Sequence, residues 1–440
     1  MDTFFKITER GSTVGNEVIG GLTTFLAMAY IIAVNPQFLS AAGVPYNAAL
    51  TATCFGAALM TAIMGLVANR PLALASGMGI NAIVAFTLCG ASGLNVDWRV
   101  AMAVVFLEGV VILILVICGL RKAVMDAIPV DLRLAIGIGI GLFIGFIGLK
   151  GGGIIIQNPD NLVGAGDLTS PACIVSIISI FVAIILTALN VKGALIISII
   201  VCVIVGIPLG VTPMPSEWNF GLDFTGFAAP FQADPNTGVM AIVEVFMEPA
   251  LLLFVFSLLM SDFFDTMGTV VAVGKEGDFV DENGDVEDIQ PILMVDSAAA
   301  AVGGFMGASS ITTFVESTSG AAAGARTGLS NIVIAIAFLV FAFLAPIVGM
   351  VSSSATCGPL VVVGYLMMTN IGEIDWTKVE SAFPAFLTIV GIPFTYSITN
   401  GIGFGFIAYC IIMVARGKAS QVKPLMWVAA VAFLIMFIFQ

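Results

Sequence analysis

Two long stretches of this chain carry no charge. Residues 18 to 69 and 327 to 372 run without a single Asp, Glu, Lys or Arg, and each is long enough for about two membrane-spanning helices of ~20 residues. Hydrophobic residues make up 59% of the chain and charged residues only 10%, which leaves too little polar surface to cover a soluble domain. The apolar runs are continuous rather than alternating, so helices are selected over the strands of an outer-membrane barrel. The expected fold is an all-α polytopic membrane protein, and the expected location is a cytoplasmic (inner) membrane.

The remaining composition excludes several classes. The start, MDTFFKITERGSTVGNE, is charged and polar and leads into a long span with no small-residue cleavage site, so the first span is expected to stay in the mature protein. The seven cysteines stand singly, mostly inside apolar runs (Cys54, Cys89, Cys118, Cys202, Cys410), and read as small buried hydrophobes. They show no CxxC or zinc spacing, so no metal is expected. A net charge of -13 comes largely from loops such as 275 to 288, KEGDFVDENGDVED, and speaks against a nucleic-acid partner. That loop looks calcium-like, but Gly284 stands at the wrong offset from Asp281, Asn283 and Asp285 for an EF-hand, and a solvated acidic loop fits better.

The apolar runs resolve into about fourteen segments, centred near residues 28, 58, 81, 110, 141, 180, 202, 262, 300, 317, 338, 362, 399 and 431. The long polar interruption PMPSEWNFGLDFTGFAAPFQADPNTG follows the seventh and divides the chain into two halves. Seven segments per half is an odd number, so the second half must enter the membrane in the opposite sense, giving a 7+7 inverted repeat. The third segment of each half supports this symmetry. PLALASGMGINAIVAF (71 to 86) and GGFMGASSITTFVESTSGAAAGARTG (303 to 328) are both rich in Gly and Ser. Interrupted segments in matching positions point to a midplane site built from broken helices. Close helix packing through small residues is the alternative source of such composition.

Charge in the membrane is scarce and clustered. SDFFDTMGT (261 to 269) sets Asp262 and Asp265 in the middle of an apolar segment, where a carboxylate costs several kcal/mol unless it faces a polar cavity or a partner. Their i,i+3 spacing gives them one polar face together; structural pairing is the alternative. Glu108, Asp296, Glu316 and Arg326 complete the intramembrane set, with Asn81 embedded in the third segment. The chain has no histidine, so proton coupling would have to use a carboxylate, with Asp262, Asp265 and Glu316 as candidates. Arg326 lies near the end of its segment, where pairing with a carboxylate or a helix terminus is ordinary structural work. Glu108 stands alone in an apolar helix and is read as a supporting partner of the site.

These motifs carry a family resemblance. GGLTTFLAMAYIIAVNP, PLALASGMGINA, DFFDTMGTVVAV, TTFVESTSGAAAGARTGL and PAFLTIVGIPFTYSITNGIGFGFI resemble the purine permeases of the nucleobase:cation symporter-2 family, in the azaguanine-resistance-type branch, from about residue 4 to 440. The resemblance implies a core domain (1–120 and 238–350, segments 1–4 and 8–11) moving against a gate domain (121–215 and 351–440, segments 5–7 and 12–14). It further implies short strands in segments 3 and 10 and, commonly, a homodimer. The family's binding positions fall on Asn81, Asp262, Asp265 and Glu316, with Asp296, Arg326, Glu108 and Thr313 as supporting residues. Many relatives have proline where this chain has Ser76, which is expected to cap the adjacent helix start.

The implied activity is proton-coupled uptake of hypoxanthine or guanine, with no cofactor beyond the proton. A carboxylate accepts from N1–H and from the exocyclic amine of guanine, and Glu316 is the expected acceptor. Asn81 can donate and accept, Phe263, Phe264 or Phe86 can supply a stacking face, and Asp265 or Asp262 is the expected proton carrier. An adenine permease, an anion transporter of the same fold and an intramembrane enzyme are the other classes. The first needs a site of different polarity, the second is poorly served by three carboxylates, and the third lacks histidine, metal ligands and a nucleophile–base pair. Lys6 and Arg10 before the first segment, with Arg121 and Lys122 after the fourth, set the N-terminus in the cytoplasm. Arg416, Lys418 and Lys423 follow the thirteenth segment and fall outside by simple counting, unless the 381 to 415 run is split at Pro393 and the short last segment follows as a half-length helix.

Overall fold

The computed structural model describes residues 2–439 apart from 91–92, 120–127, 161, 216–217, 219 and 281–285, and leaves the side chains of Phe264 and Phe439 undescribed. Arg121 and Lys122, and the Asp281, Asn283, Gly284 and Asp285 positions of the calcium-like stretch, lie outside the described residues. Nine helices among the described residues are long and apolar enough to cross a membrane, and five shorter apolar helices accompany them.

The first half begins with a broken segment: α1 (Val14–Met28) and α2 (Ile31–Ala41) are separated by Ala29 and Tyr30. After α3 (Tyr46–Val67), the third segment is not a continuous helix. Strand β1 (Leu74–Ser76) passes through Gly77 into α4 (Met78–Ala82), which continues as a π-helix over Ile83–Leu88. Next come α5 (Trp98–Ile117) and α6 (Val130–Gly151), a small antiparallel hairpin of β2 (Ile155–Asn158) and β3 (Leu162–Ala165), then α7 (Pro171–Ala188) and α8 (Ala194–Gly206).

The second half repeats the plan. It has α9 (Pro249–Glu276) and α10 (Ile289–Met306), then β4 (Ile311–Thr313) leading into the short α11 (Ser317–Ala322). It closes with α12 (Leu329–Ala342), α13 (Ser353–Met368), α14 (Val379–Phe394) and α15 (Ile398–Ala415). Packing is paired across the halves: α5 lies on α10 as α12 lies on α3, while α6 packs on α13, its own counterpart. Such approaches need small residues, since lipid offers no hydrophobic drive for helices to associate. A Cβ on Gly364 of α13 would sit 2.5 Å from the Gly141 carbonyl of α6, and one on Gly65 of α3 the same distance from the Gly328 carbonyl.

The run expected as one thirteenth segment is two helices. Pro393 lies inside α14, and the break follows it at Thr395–Ser397, where Tyr396 takes a left-handed φ of 54° and Ser397 caps α15 through the Asn400 N–H. The second seven therefore end at Ala415, and the apolar stretch near residue 431 is a further helix, α16 (Pro424–Phe439), packed on α15. Glu380 at the start of α14 accepts from Arg416 at 2.6 Å and Lys418 at 2.8 Å after α15, closing the hairpin.

This extra turn removes the conflict between segment count and the basic residues near the C-terminus. Alternation through the segments puts Lys6, Arg10, Arg70, Arg133, Lys192, Lys275, Arg326, Lys378, Arg416, Lys418 and Lys423 on the N-terminal face, and of the described cations only Arg99 and Lys150 on the other. Contacts agree: Arg10 donates to the Asn69 carbonyl after α3, and Ser12 to the Gly324 carbonyl after α11. By the positive-inside rule the N-terminal face is expected to be the cytoplasmic one. Lys418 should resist a membrane-impermeant amine reagent in intact cells and react after permeabilisation; labelling in intact cells would reverse the orientation.

Candidate functional site

A broken helix inside a bilayer exposes backbone groups that lipid cannot satisfy. Here the two broken segments satisfy each other. β1 and β4 pair antiparallel, with Leu74 opposite Thr313, Ala75 opposite Thr312 and Ser76 opposite Ile311. The Gly77 N–H donates to the Ser310 carbonyl and the Phe314 N–H to the Ala73 carbonyl, both at 2.9 Å. Side chains complete the set: Thr61 bonds both backbone groups of Leu74, and Asn331 donates to the carbonyls of Arg70 and Leu72. Ser76 does not cap α4 as expected. Its hydroxyl donates to the Ala308 carbonyl at 2.7 Å, because β1 turns that side chain toward the loop before β4, and Gly77 stands at the helix start.

Asp296 of α10 fixes this ladder. Its carboxylate accepts from the Thr266 hydroxyl (2.7 Å), the Thr312 hydroxyl (3.2 Å) and the Thr313 N–H (3.1 Å), so α9, α10 and β4 share one anion. The Thr313 hydroxyl is buried without a protein partner among the described residues.

Asn81 on α4 is wholly buried, and neither its amide oxygen nor its nitrogen meets a protein partner among the described residues. Glu316 stands at the start of α11 without bonding its own helix N-terminus. It accepts instead from the Tyr30 hydroxyl at 2.8 Å, a bond spanning 286 residues. Asp262 and Asp265 lie near the middle of α9, one turn apart, and differ in burial. Asp262 is fully buried, whereas Asp265 is exposed, within electrostatic range of Asp296 and Glu316. Beyond Asp265, Gly268, Lys275 and Glu276 are exposed toward the cytoplasmic end, while every residue from Ser257 to Phe263 is buried.

The other expected residues scatter around this centre. Phe263 is buried within α9, and the Phe264 side chain lies outside the described residues. Phe86 packs edge-on against Phe38 (5.7 Å) and Tyr396 (5.4 Å), and Tyr396 also meets Phe143 and the Lys150 ammonium. Arg326 pairs with Asp278 at 3.1 Å and donates to the Ala321 and Ala325 carbonyls at the end of α11. Glu108 is buried in α5 beside Gly109, which packs against α10. The small residues divide: those at 74–77 and 311–316 serve the strand pair, whereas Gly320 packs on Gly20 and Gly328 on Gly65. Of the cysteines, Cys118 is exposed rather than buried, since it ends α5.

Glu17 and Tyr30 are among the buried polar residues that escaped the sequence reading. Glu17, in the first turn of α1, accepts from the N–H groups of Arg326 and Thr327, and a carboxylate so close to a polar N-terminus looks solvated in sequence. Tyr30 sits at the break of segment 1 inside AMAYII, an apolar stretch with no Gly or Pro to announce a discontinuity.

Comparison with known proteins places this architecture. The Xan_ur_permease model, described as a permease family, matches residues 15–404. The chain belongs to the nucleobase:cation symporter-2 permeases. The guanine/hypoxanthine permease PbuG of Bacillus subtilis is 39% identical with all of both chains covered, and the adenine permease AdeP of Escherichia coli is 38% identical, covering all of this chain and 96% of the relative. In fold the permease is similar to the transmembrane domain of the cyanobacterial bicarbonate transporter BicA (TM-score 0.63, 16% identity, 87% of this chain and 96% of that one). It is similar also to SLC26A9 (TM-score 0.65, 13% identity, 91% and 65%). The protein is thus a transporter of the cytoplasmic membrane and not an enzyme.

Because Asp296 holds three donors, two of them on β4 of the central ladder and one on α9, Asp296→Ala should destabilise the permease by about 3 kcal/mol, the range for buried donors stripped of a charged acceptor. The loss should appear as a lower unfolding temperature in detergent. Asp296→Asn, which keeps one acceptor oxygen, should lose less.

Proposed function

We propose that this permease imports hypoxanthine or guanine together with protons, a core group of helices rocking against a gate group around the strand pair. The observation that carries the reading is the Asn81 amide, buried with two donor hydrogens and an acceptor unmet. Leaving such a group unpaired in a dry site costs about 1–3 kcal/mol, and a planar base with donors and acceptors on its edge recovers it. Glu316 supplies the anionic acceptor for N1–H. Relatives named as guanine/hypoxanthine permeases and as adenine permeases are about equally similar, so the choice of base rests on the site and not on likeness.

The division into core (1–120 and 238–350) and gate (121–215 and 351–440), with the homodimer implied by the resemblance, belongs to this proposal. In its favour, α1, α3, α5, α9, α10 and α12 pack chiefly among themselves, and so do α6, α7, α8, α13, α14 and α15. Asp265 is exposed on α9, while Phe86 of the first group meets Tyr396 of the second toward the other face, which suits an inward-open state. Asp265 is the proposed proton carrier, since a carrier must exchange with water and Asp262 is buried. An anion substrate is disfavoured: the site gathers Asp262, Asp265, Asp296 and Glu316, and Arg326 is already bound to Asp278.

Cells expressing the permease should accumulate labelled hypoxanthine or guanine, more strongly at acidic external pH, and uptake should collapse with a protonophore. Glu316→Gln sets an NH2 donor against the donor edge of the base and should weaken binding by about 2 kcal/mol or more. Asp265→Asn imitates the loaded carboxyl, so binding should survive within a few-fold while pH-driven accumulation is lost. Calorimetry of both variants with guanine, beside uptake into liposomes, separates the roles; they are wrongly assigned if Asp265→Asn abolishes binding or Glu316→Gln leaves it intact.

A further inference from the structure

The Tyr30–Glu316 hydrogen bond fixes the polarity of the site. We infer that Tyr30 is a specificity-determining positioning residue, which by donating to Glu316 leaves the pair as a pure acceptor and so selects 6-oxopurines over adenine. The inference rests on the purine reading above.

Tyr30 is 1% exposed and sits where segment 1 breaks, between α1 and α2. Its phenol has one hydrogen, and that hydrogen is committed to Oε1 of Glu316 at 2.8 Å. A glutamate at a helix start would otherwise cap the N–H groups of the following turn; no such cap forms here, and of the backbone only the residue's own N–H bears on the carboxylate. Tyr30 therefore helps hold the carboxylate away from the first turn of α11, and the acceptor positions not used by the phenol or by the residue's own N–H are left for a ligand's donor. The ligand must then bring the hydrogen. Hypoxanthine and guanine carry one on N1, and guanine adds its 2-amino group on the same edge. Adenine presents a bare N1 lone pair there, which a carboxylate repels.

The test compares hypoxanthine, adenine and 1-methylhypoxanthine, whose N1 carries a methyl in place of hydrogen, on the full-length permease in detergent. Wild-type protein should bind hypoxanthine at least about tenfold tighter than either other base, the range of one charge-assisted hydrogen bond. Tyr30→Phe keeps the buried ring and frees the carboxylate, so hypoxanthine binding should weaken about tenfold. Adenine and the methylated base should change by less than about twofold, and the selectivity ratio should shrink accordingly. Equal weakening of all three ligands would reveal a merely structural tyrosine and overturn the inference. So would an unchanged hypoxanthine affinity, or a wild-type preference for adenine or for the methylated base, an outcome that needs no variant to fold. A wild-type protein that binds none of the three overturns the purine reading along with it.

Discussion

Three pairs of residues, Leu74–Thr313, Ala75–Thr312 and Ser76–Ile311, hold the centre of this protein. In water a three-residue ladder would contribute little. Inside a bilayer it is the means by which two helices can stop halfway, because each interrupted segment presents N–H and C=O groups that only the other can meet. The reinforcement is correspondingly dense: Thr61, Ser76, Asn331 and Asp296 each bond backbone of the strands or their approaches. Ala308 shows how tightly the region is tied. Its carbonyl accepts from both Ser76 and Asn35, linking β1 and α2 to the turn that enters β4.

The inverted repeat arises from the same constraint. Two segments that complete each other across an antiparallel ladder are related by a two-fold operation in the membrane plane, which odd-numbered halves supply. The same operation brings α6 onto α13 and matches α5 on α10 with α12 on α3. Glycines set the closeness of these crossings, and Gly141 facing Gly364 repeats in one group what Gly65 facing Gly328 does in the other. Serine and glycine in the third and tenth segments thus have two causes at once, strand formation and helix packing, and composition alone does not separate them.

The residues legible in the sequence were those the bilayer makes expensive. Asp262, Asp265, Asp296 and Glu316 stand out because a carboxylate among apolar residues needs a reason, and Asn81 stands out beside glycines for the same cause. Residues whose cost is hidden were not legible. Tyr30 reads as one more apolar side chain in AMAYII, and the two-residue interruption at Ala29 and Tyr30 has no proline or glycine to mark it. Glu17 reads as part of a polar tail although it is wholly buried. The bend at Tyr396 was half legible: Pro393 signals trouble, but α14 tolerates it and ends just beyond, where Ser397 can cap α15.

Four carboxylates in one membrane centre demand compensation, and no free cation among the described residues provides it: Arg326 is engaged by Asp278, and Lys150 lies at the aromatic cluster around Tyr396. Each acid is handled differently. Asp296 is saturated by hydroxyls and an N–H, Glu316 is met by a phenol, Asp262 is buried, and Asp265 is the one left facing water. A saturated anion is a structural part, since releasing its donors would open the ladder. The water-facing anion can change protonation without breaking any bond of the fold. The proton-carrier role proposed for Asp265 is compatible with that difference, and the bonds that hold the strand pair gather on Asp296.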